Sequence, residues 1–205
     1  MKIIDLTHTI DSTIPHYPGD IKPTLVQTKF IDKDGYNDST IHTSMHIGTH
    51  LDAPSHMSKS NINMKDIPLS RLIGHAVLLD VQGEKIIEHK NSYNNQIKEN
   101  DMILFLTGHD QLFYSDTHYK TYPSLSDKMV DFLISKKVKL IGLDTPSPDL
   151  YPFPHHERLL TNNILIAENL TNLNKLVGLD NMELHVIPLK IDASGSPARV
   201  YVLLK

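Results

Sequence analysis

The chain has 205 residues, 40% of them hydrophobic and 21% charged, with a formal net charge of −4. That length suits one well-packed domain over residues 1–205, and the composition excludes collagen, low-complexity linkers and disordered acidic tails. The acidic balance argues against nucleic acid as a partner, and the absence of cysteine excludes disulfides, thiolate metal sites and a cysteine nucleophile.

Taken in chain order, residues 3–7 form the first β-rich run. Tyr17-Pro18-Gly19-Asp20 places Pro and then Gly at the centre of a type II turn. Residues 32–38 carry loop signals, and a short helical piece is expected near 68–73. A strand is predicted at 77–81, a helix around 91–99 and a strand at 102–107. The clearest helix covers 126–137, where Leu125, Met129 and Leu133 recur every four residues. Ser126 or Ser124 would cap its start, and Lys136, Lys137 and Lys139 suit its end. Further strands follow at 140–144, 164–167, 184–188 and 200–204, with a helical piece at 157–160 and loops at 145–154 and 193–197. Short strands separated by helical pieces predict a mixed α/β domain. No run approaches the roughly 20 apolar residues of a membrane helix. The first residues show no signal-peptide core, so a cytoplasmic protein with no membrane partner is expected.

There are 13 histidines, which raise metal binding and acid–base chemistry. They concentrate in His46-Ile47-Gly48-Thr49-His50-Leu51-Asp52-Ala53-Pro54-Ser55-His56. Imidazole nitrogen and carboxylate oxygen are the donors of catalytic zinc and manganese sites. A helix is disfavoured here by Gly48, Thr49 and Pro54. A fully extended strand puts His46, His50, Asp52 and His56 on one face but separates His46 from His50 by about 13 Å. The segment must therefore curl, and Gly48 is where it curls cheaply. Any one of these residues alone is an ordinary polar loop residue. Together, three imidazoles and a carboxylate buried without a cation would be costly.

This eleven-residue segment resembles the signature of the cyclase-like metal-dependent hydrolases, whose best-known members are the bacterial kynurenine formamidases. The similarity extends through Asp5-Leu6-Thr7-His8, Tyr17–Asp20, Leu106-Thr107-Gly108, Ile141–Ser147, His156–Glu168 and Ser196-Pro197-Ala198-Arg199. The resemblance implies an α/β fold of the swivelling β/β/α type, with a central β-barrel-like sheet, in a homodimer or tetramer. It implies His46, His50, Asp52, His156 and Glu168 as metal ligands, with the carboxylates bridging, and His56 as the catalytic acid/base. His155 competes with His156, which is preferred on spacing. The cofactor would be zinc or manganese, one or two ions per chain. The family typically has Trp where this chain has Tyr17, the expected substrate-stacking residue, and an aromatic residue where it has His109. Both differences fall on the substrate side.

An ion held by such ligands, with an open position, lowers the pKa of bound water towards about 7 and polarises a carbonyl. The expected function is hydrolysis of a small amide at its C–N bond, with arylformamidase activity on N-formylkynurenine first. A cyclic-amide (isatin-like) ring-opening hydrolase or cyclase is the alternative within the family. A non-catalytic metal- or ligand-binding protein is the alternative outside it. Aromatic and histidine candidates for the substrate pocket are Phe30, Tyr36, His42, His109, Phe113, Tyr114 and Tyr151.

Overall fold

Met102-Ile103-Leu104-Phe105-Leu106 is apolar at every position, and a strand of that kind must be covered on both faces. The computed structural model, which describes residues 2–204, makes the segment a wall strand of a closed sheet, covered inside by the barrel core and outside by helices. In chain order the elements are β1 (Lys2–Asp5), β2 (Thr24–Lys29), α1 (Ile31–Asp34), β3 (Asp38–His42) and β4 (His50–Asp52). Then come β5 (Ile73–Asp80), β6 (Ile86–Ile87), α2 (Tyr93–Gln96), β7 (Met102–Leu106), β8 (Ser124–Leu125) and α3 (Asp127–Lys136). The last are β9 (Leu140–Leu143), α4 (Pro154–Thr161), β10 (Leu165–Glu168), β11 (Met182–Pro188) and β12 (Gly195–Leu204).

The main sheet runs β1-β12-β11-β5-β7-β9-β10-β4, and a further β12–β4 pairing closes it into a seven-stranded mixed barrel with β1 attached outside. Strand β12 makes this possible by its length. Its first residues pair with β4 and its last with β1, while β11 runs along its other edge. Strands β5, β7, β9 and β10 are parallel to their neighbours in that series. The chain thus has the α/β architecture with a central barrel-like sheet that the resemblance implied.

Side chains alternate across the barrel wall. Met102, Leu104 and Leu106 of β7 share an inner cluster with Leu140, Leu165, Ala167, Leu184, Val200 and Leu51. Ile103 and Phe105 join an outer cluster with Ile141, Leu143 and Ile166, covered by Met129, Val130 and Leu133 of α3 and Leu159 and Leu160 of α4. Ser126 caps α3, its hydroxyl accepting from the Met129 N–H at 3.2 Å. Buried Asp144, just beyond β9, accepts from the Thr107 and Gly108 N–H groups and so ties the ends of β7 and β9 together.

The seven predicted strands all appear, and the prediction near 77–81 lengthens because β11 and β7 pair along all of β5. The helix expected at 91–99 is one turn, α2, because the chain turns extended at Ile97. The piece near 68–73 is a 3₁₀ turn, Leu69–Arg71. The β2–β3 hairpin and β4 carry no signal strong enough to have been predicted. No helix of the described residues is long and apolar enough to cross a membrane.

Candidate metal centre

Each side of the cluster is placed by a different part of the fold. Ile47 is fully buried with Ile14 and Phe113, which anchors the loop before β4. Gly48 then takes φ 56, the left-handed turn that lets the segment curl. Strand β4 pairs antiparallel with β10, so that His50 lies opposite Glu168 and Asp52 opposite Ile166. Leu51 points into the barrel, so His50, Asp52 and Glu168 share the outer face. His156 enters from the first turn of α4. His46 and His56 arrive from the loops on either side of β4.

Asp52, fully buried, is the hub. Its Oδ1 lies 2.7 Å from His46 Nδ1 and 3.5 Å from His50 Nε2, and its Oδ2 lies 3.0 Å from His156 Nε2. Glu168 Oε2 is 3.3 Å from His50 Nε2, and its Oε1 is 3.7 Å from His156 Nδ1. His50 Nδ1 donates to the Gly48 carbonyl at 2.8 Å, and His156 Nδ1 is 3.2 Å from Ser147 Oγ. His56 stacks on His46 with ring centroids 3.8 Å apart and meets His156 edge-on at 5.4 Å.

All five predicted ligands therefore converge. His155 does not: its Nε2 turns outward to Asp127 Oδ1 at 3.2 Å. Potential donor atoms of His50, Asp52 and Glu168 lie within 4.8 Å of one another, as do those of His46, Asp52 and His56. The geometry thus also brings His56 within reach of a cation.

The electrostatics suit a divalent ion. Burial opposes the Asp52 charge, yet the His46 and His50 rings hold its carboxyl well below the usual range. Burial and the neighbouring Asp52 push Glu168 well above it. Burial also works against a charged His156, but the bond to Asp52 raises its pKa. Burial pushes His56 down to about 4 against the pull of Asp52. Two carboxylates packed this closely do not both ionise without added positive charge. Glu168 Oε1 is buried with no hydrogen-bond partner among the described residues, a cost that a cation would remove. Mixed nitrogen and oxygen donors are those of zinc and manganese.

Beside the cluster opens a cavity of about 320 Å³. Tyr17, Asp20, Met57, Tyr119, Pro146, Phe153 and Asn169 line it together with His46, His50, His56, His156 and Glu168. Tyr17 lies in this lining, at the start of a turn closed by the Asp20 N–H to the Tyr17 carbonyl at 3.0 Å. The other pocket candidates lie elsewhere. Phe30, Tyr36 and His42 sit on or beside the exposed β2–β3 hairpin. His109 is buried, its Nε2 bonded to the His118 carbonyl at 3.0 Å. Phe113 packs under His8 with ring centroids 3.7 Å apart, and Tyr114 and Tyr151 point to solvent. The aromatic wall is instead Tyr17 against Tyr119, ring centroids 5.5 Å apart, with Phe153 nearby in the lining. Sequence reasoning missed Tyr119 because 102 residues separate it from Tyr17 and no periodicity marks it.

The fold and the cluster together define an α/β protein with a histidine–carboxylate centre on the outer face of a closed mixed barrel. Residues 4–150 match the putative cyclase family, and the chain belongs to that family. An uncharacterized protein of Methanocaldococcus jannaschii is 33% identical over the full length of both chains. The kynurenine formamidase of Bacillus mycoides is 29% identical over 97% of this chain and 96% of its own. Isatin hydrolase A from Ralstonia solanacearum superposes with a TM-score of 0.88 at 21% identity, over 100% of this chain and 92% of that one, a likeness of fold.

Proposed function

We propose that the protein is a metal-dependent amidohydrolase that cleaves the C–N bond of a small aryl amide, first of all N-formylkynurenine. The convergence of His46, His50, Asp52, His156 and Glu168 beside an aromatic-lined cavity carries this reading. In it, these five residues hold one or two divalent ions, zinc or manganese, with both carboxylates placed between the histidines. A divalent ion there supplies an activated water and polarises the carbonyl to be attacked.

The chain's own groups do the rest. Burial keeps His56 neutral at pH 7. A neutral imidazole accepts a proton from the attacking water and returns it to the leaving nitrogen. Tyr17 and Tyr119 offer ring faces and edges to an aryl group. The family relatives named kynurenine formamidase support formamide chemistry over ring opening. The β2–β3 hairpin leaves Leu25, Val26 and Ile41 in solvent and pairs with no other strand among the described residues, which supports the expected homo-oligomer.

The test is hydrolysis of N-formylkynurenine by metal-stripped protein reloaded with zinc or manganese, with isatin in parallel. Turnover of the formamide is expected. The His56→Ala variant should hold its metal and lose roughly 100- to 10,000-fold in rate. Opening of isatin alone would move the substrate to the cyclic amides. Unchanged behaviour of His56→Ala would leave a binding protein. Failure to bind either ion would end the reading.

A further inference from the structure

Asn169 follows Glu168 directly, takes φ 54 and is buried. Asparagine tolerates that left-handed backbone, but its side chain is also engaged at both ends. Nδ2 lies 3.2 Å from the Gly48 carbonyl oxygen, and Oδ1 lies 2.9 Å from His118 Nε2. The same Gly48 carbonyl receives His50 Nδ1 at 2.8 Å. A carbonyl oxygen only accepts, and that fact orders the whole chain of bonds. His50 must carry its proton on Nδ1, which leaves a lone pair on Nε2, the atom facing Asp52 and Glu168. Asn169 must turn its amide NH₂ to Gly48 and its oxygen to His118. His118, fully buried, must then carry its proton on Nε2.

The backbone of Asn169 grips the same turn. Its carbonyl accepts from Thr49 Oγ1 at 2.6 Å, and its N–H donates to the Thr145 carbonyl at 3.0 Å. Thr49 stands between Gly48 and His50. One residue therefore fixes two neighbouring points of the turn that delivers His50.

We infer that Asn169 is a positioning residue for the metal centre: it holds the Gly48 carbonyl so that His50 presents Nε2, while His118 satisfies its amide oxygen. This rests on the proposed role of His50 as a ligand. The partner one bond beyond His50 is the Gly48 carbonyl, such partners typically govern affinity by roughly 10- to 100-fold, and Asn169 acts through it.

Two variants separate side-chain positioning from backbone shape. Asn169→Gly keeps the left-handed backbone and removes the amide. Asn169→Asp keeps the shape and sets a carboxylate oxygen against the Gly48 carbonyl, where no donor remains. Zinc affinity is measured by competition with a chromophoric chelator, and the His50 tautomer by ¹⁵N NMR of histidine-labelled, zinc-loaded protein. Both variants should lose roughly 10- to 100-fold in zinc affinity. The clean Nδ1-protonated pattern of His50 in the parent should give way to a mixture. Should Asn169→Asp fail to fold, Asn169→Gly decides alone. Zinc affinity within about threefold of the parent, with the tautomer unchanged, would reduce Asn169 to a backbone-shape residue and overturn the inference. Full zinc binding by His50→Ala would instead overturn the ligand assignment beneath it.

Discussion

Gly195 allows the role of His46 to be tested without altering a ligand. It stands in β12 opposite Asp52, with no left-handed backbone to preserve. A Cβ at this position would come 2.8 Å from His46 Nε2 and 2.9 Å from its Nδ1, with Cε1 nearer still. Non-bonded heavy atoms settle at about 3.5–4.0 Å, so in Gly195→Ala the ring must retreat by about 1 Å. The His46 side chain is 22% exposed, which gives the ring somewhere to go and spares the fold. A zinc–nitrogen bond has no such latitude, since it tolerates about 0.2 Å around its length. Losing a ligand costs more than losing its supporting partner, so zinc affinity should fall by at least about 100-fold. That is about 2.8 kcal/mol. The assay is zinc titration of metal-stripped protein against a chromophoric chelator, with melting followed in excess chelator. The metal-free variant should melt within about 4 °C of the parent. Zinc affinity within about threefold of the parent would refute the placement of His46 among the ligands.

Other expectations are simpler to check. Gly142→Ala would put a Cβ 2.7 Å from Leu104 Cδ2 and 2.8 Å from Leu170 Cδ1 inside the barrel. It should cost roughly 1–3 kcal/mol in denaturant unfolding, and an unchanged midpoint would show that the barrel interior has slack. Burial holds His118 down at about 4 against an ordinary 6.5, so the unfolded chain takes up a proton there that the fold refuses. The parent should lose stability relative to His118→Gln as pH falls from 6.5 towards 4, and a difference in melting temperature that stays constant with pH would contradict this. Tyr119→Ala should raise KM for an aryl amide while the bound metal content stays the same; an unchanged KM would remove Tyr119 from the substrate wall.

The chemistry was legible in the sequence because it is packed locally. His46, His50, Asp52 and His56 lie within eleven residues, and the need to curl at Gly48 follows from strand dimensions alone. Glu168 could be flagged because a carboxylate ending the apolar run Ile164-Leu165-Ile166-Ala167 needs a partner. Every strand of the barrel wall except β4 was visible for a similar reason: continuous apolar runs signal cover on both faces.

Closure of the barrel was decided only in three dimensions. Strand β4 is three residues long, with a polar outer face and too little apolar periodicity to predict. It exists because β10 and β12 supply its hydrogen-bond partners from more than a hundred residues away. The same pairing sets His50 opposite Glu168. The choice of His156 over His155 likewise depends on which side of α4 faces the sheet. Tyr119, Asn169 and Gly195 acquire their places at the site only when the barrel closes, because their contacts with Tyr17, Gly48 and His46 join distant parts of the chain. Residue chemistry and short-range spacing are properties of the sequence, whereas long-range register follows from burying both faces of one closed sheet at once.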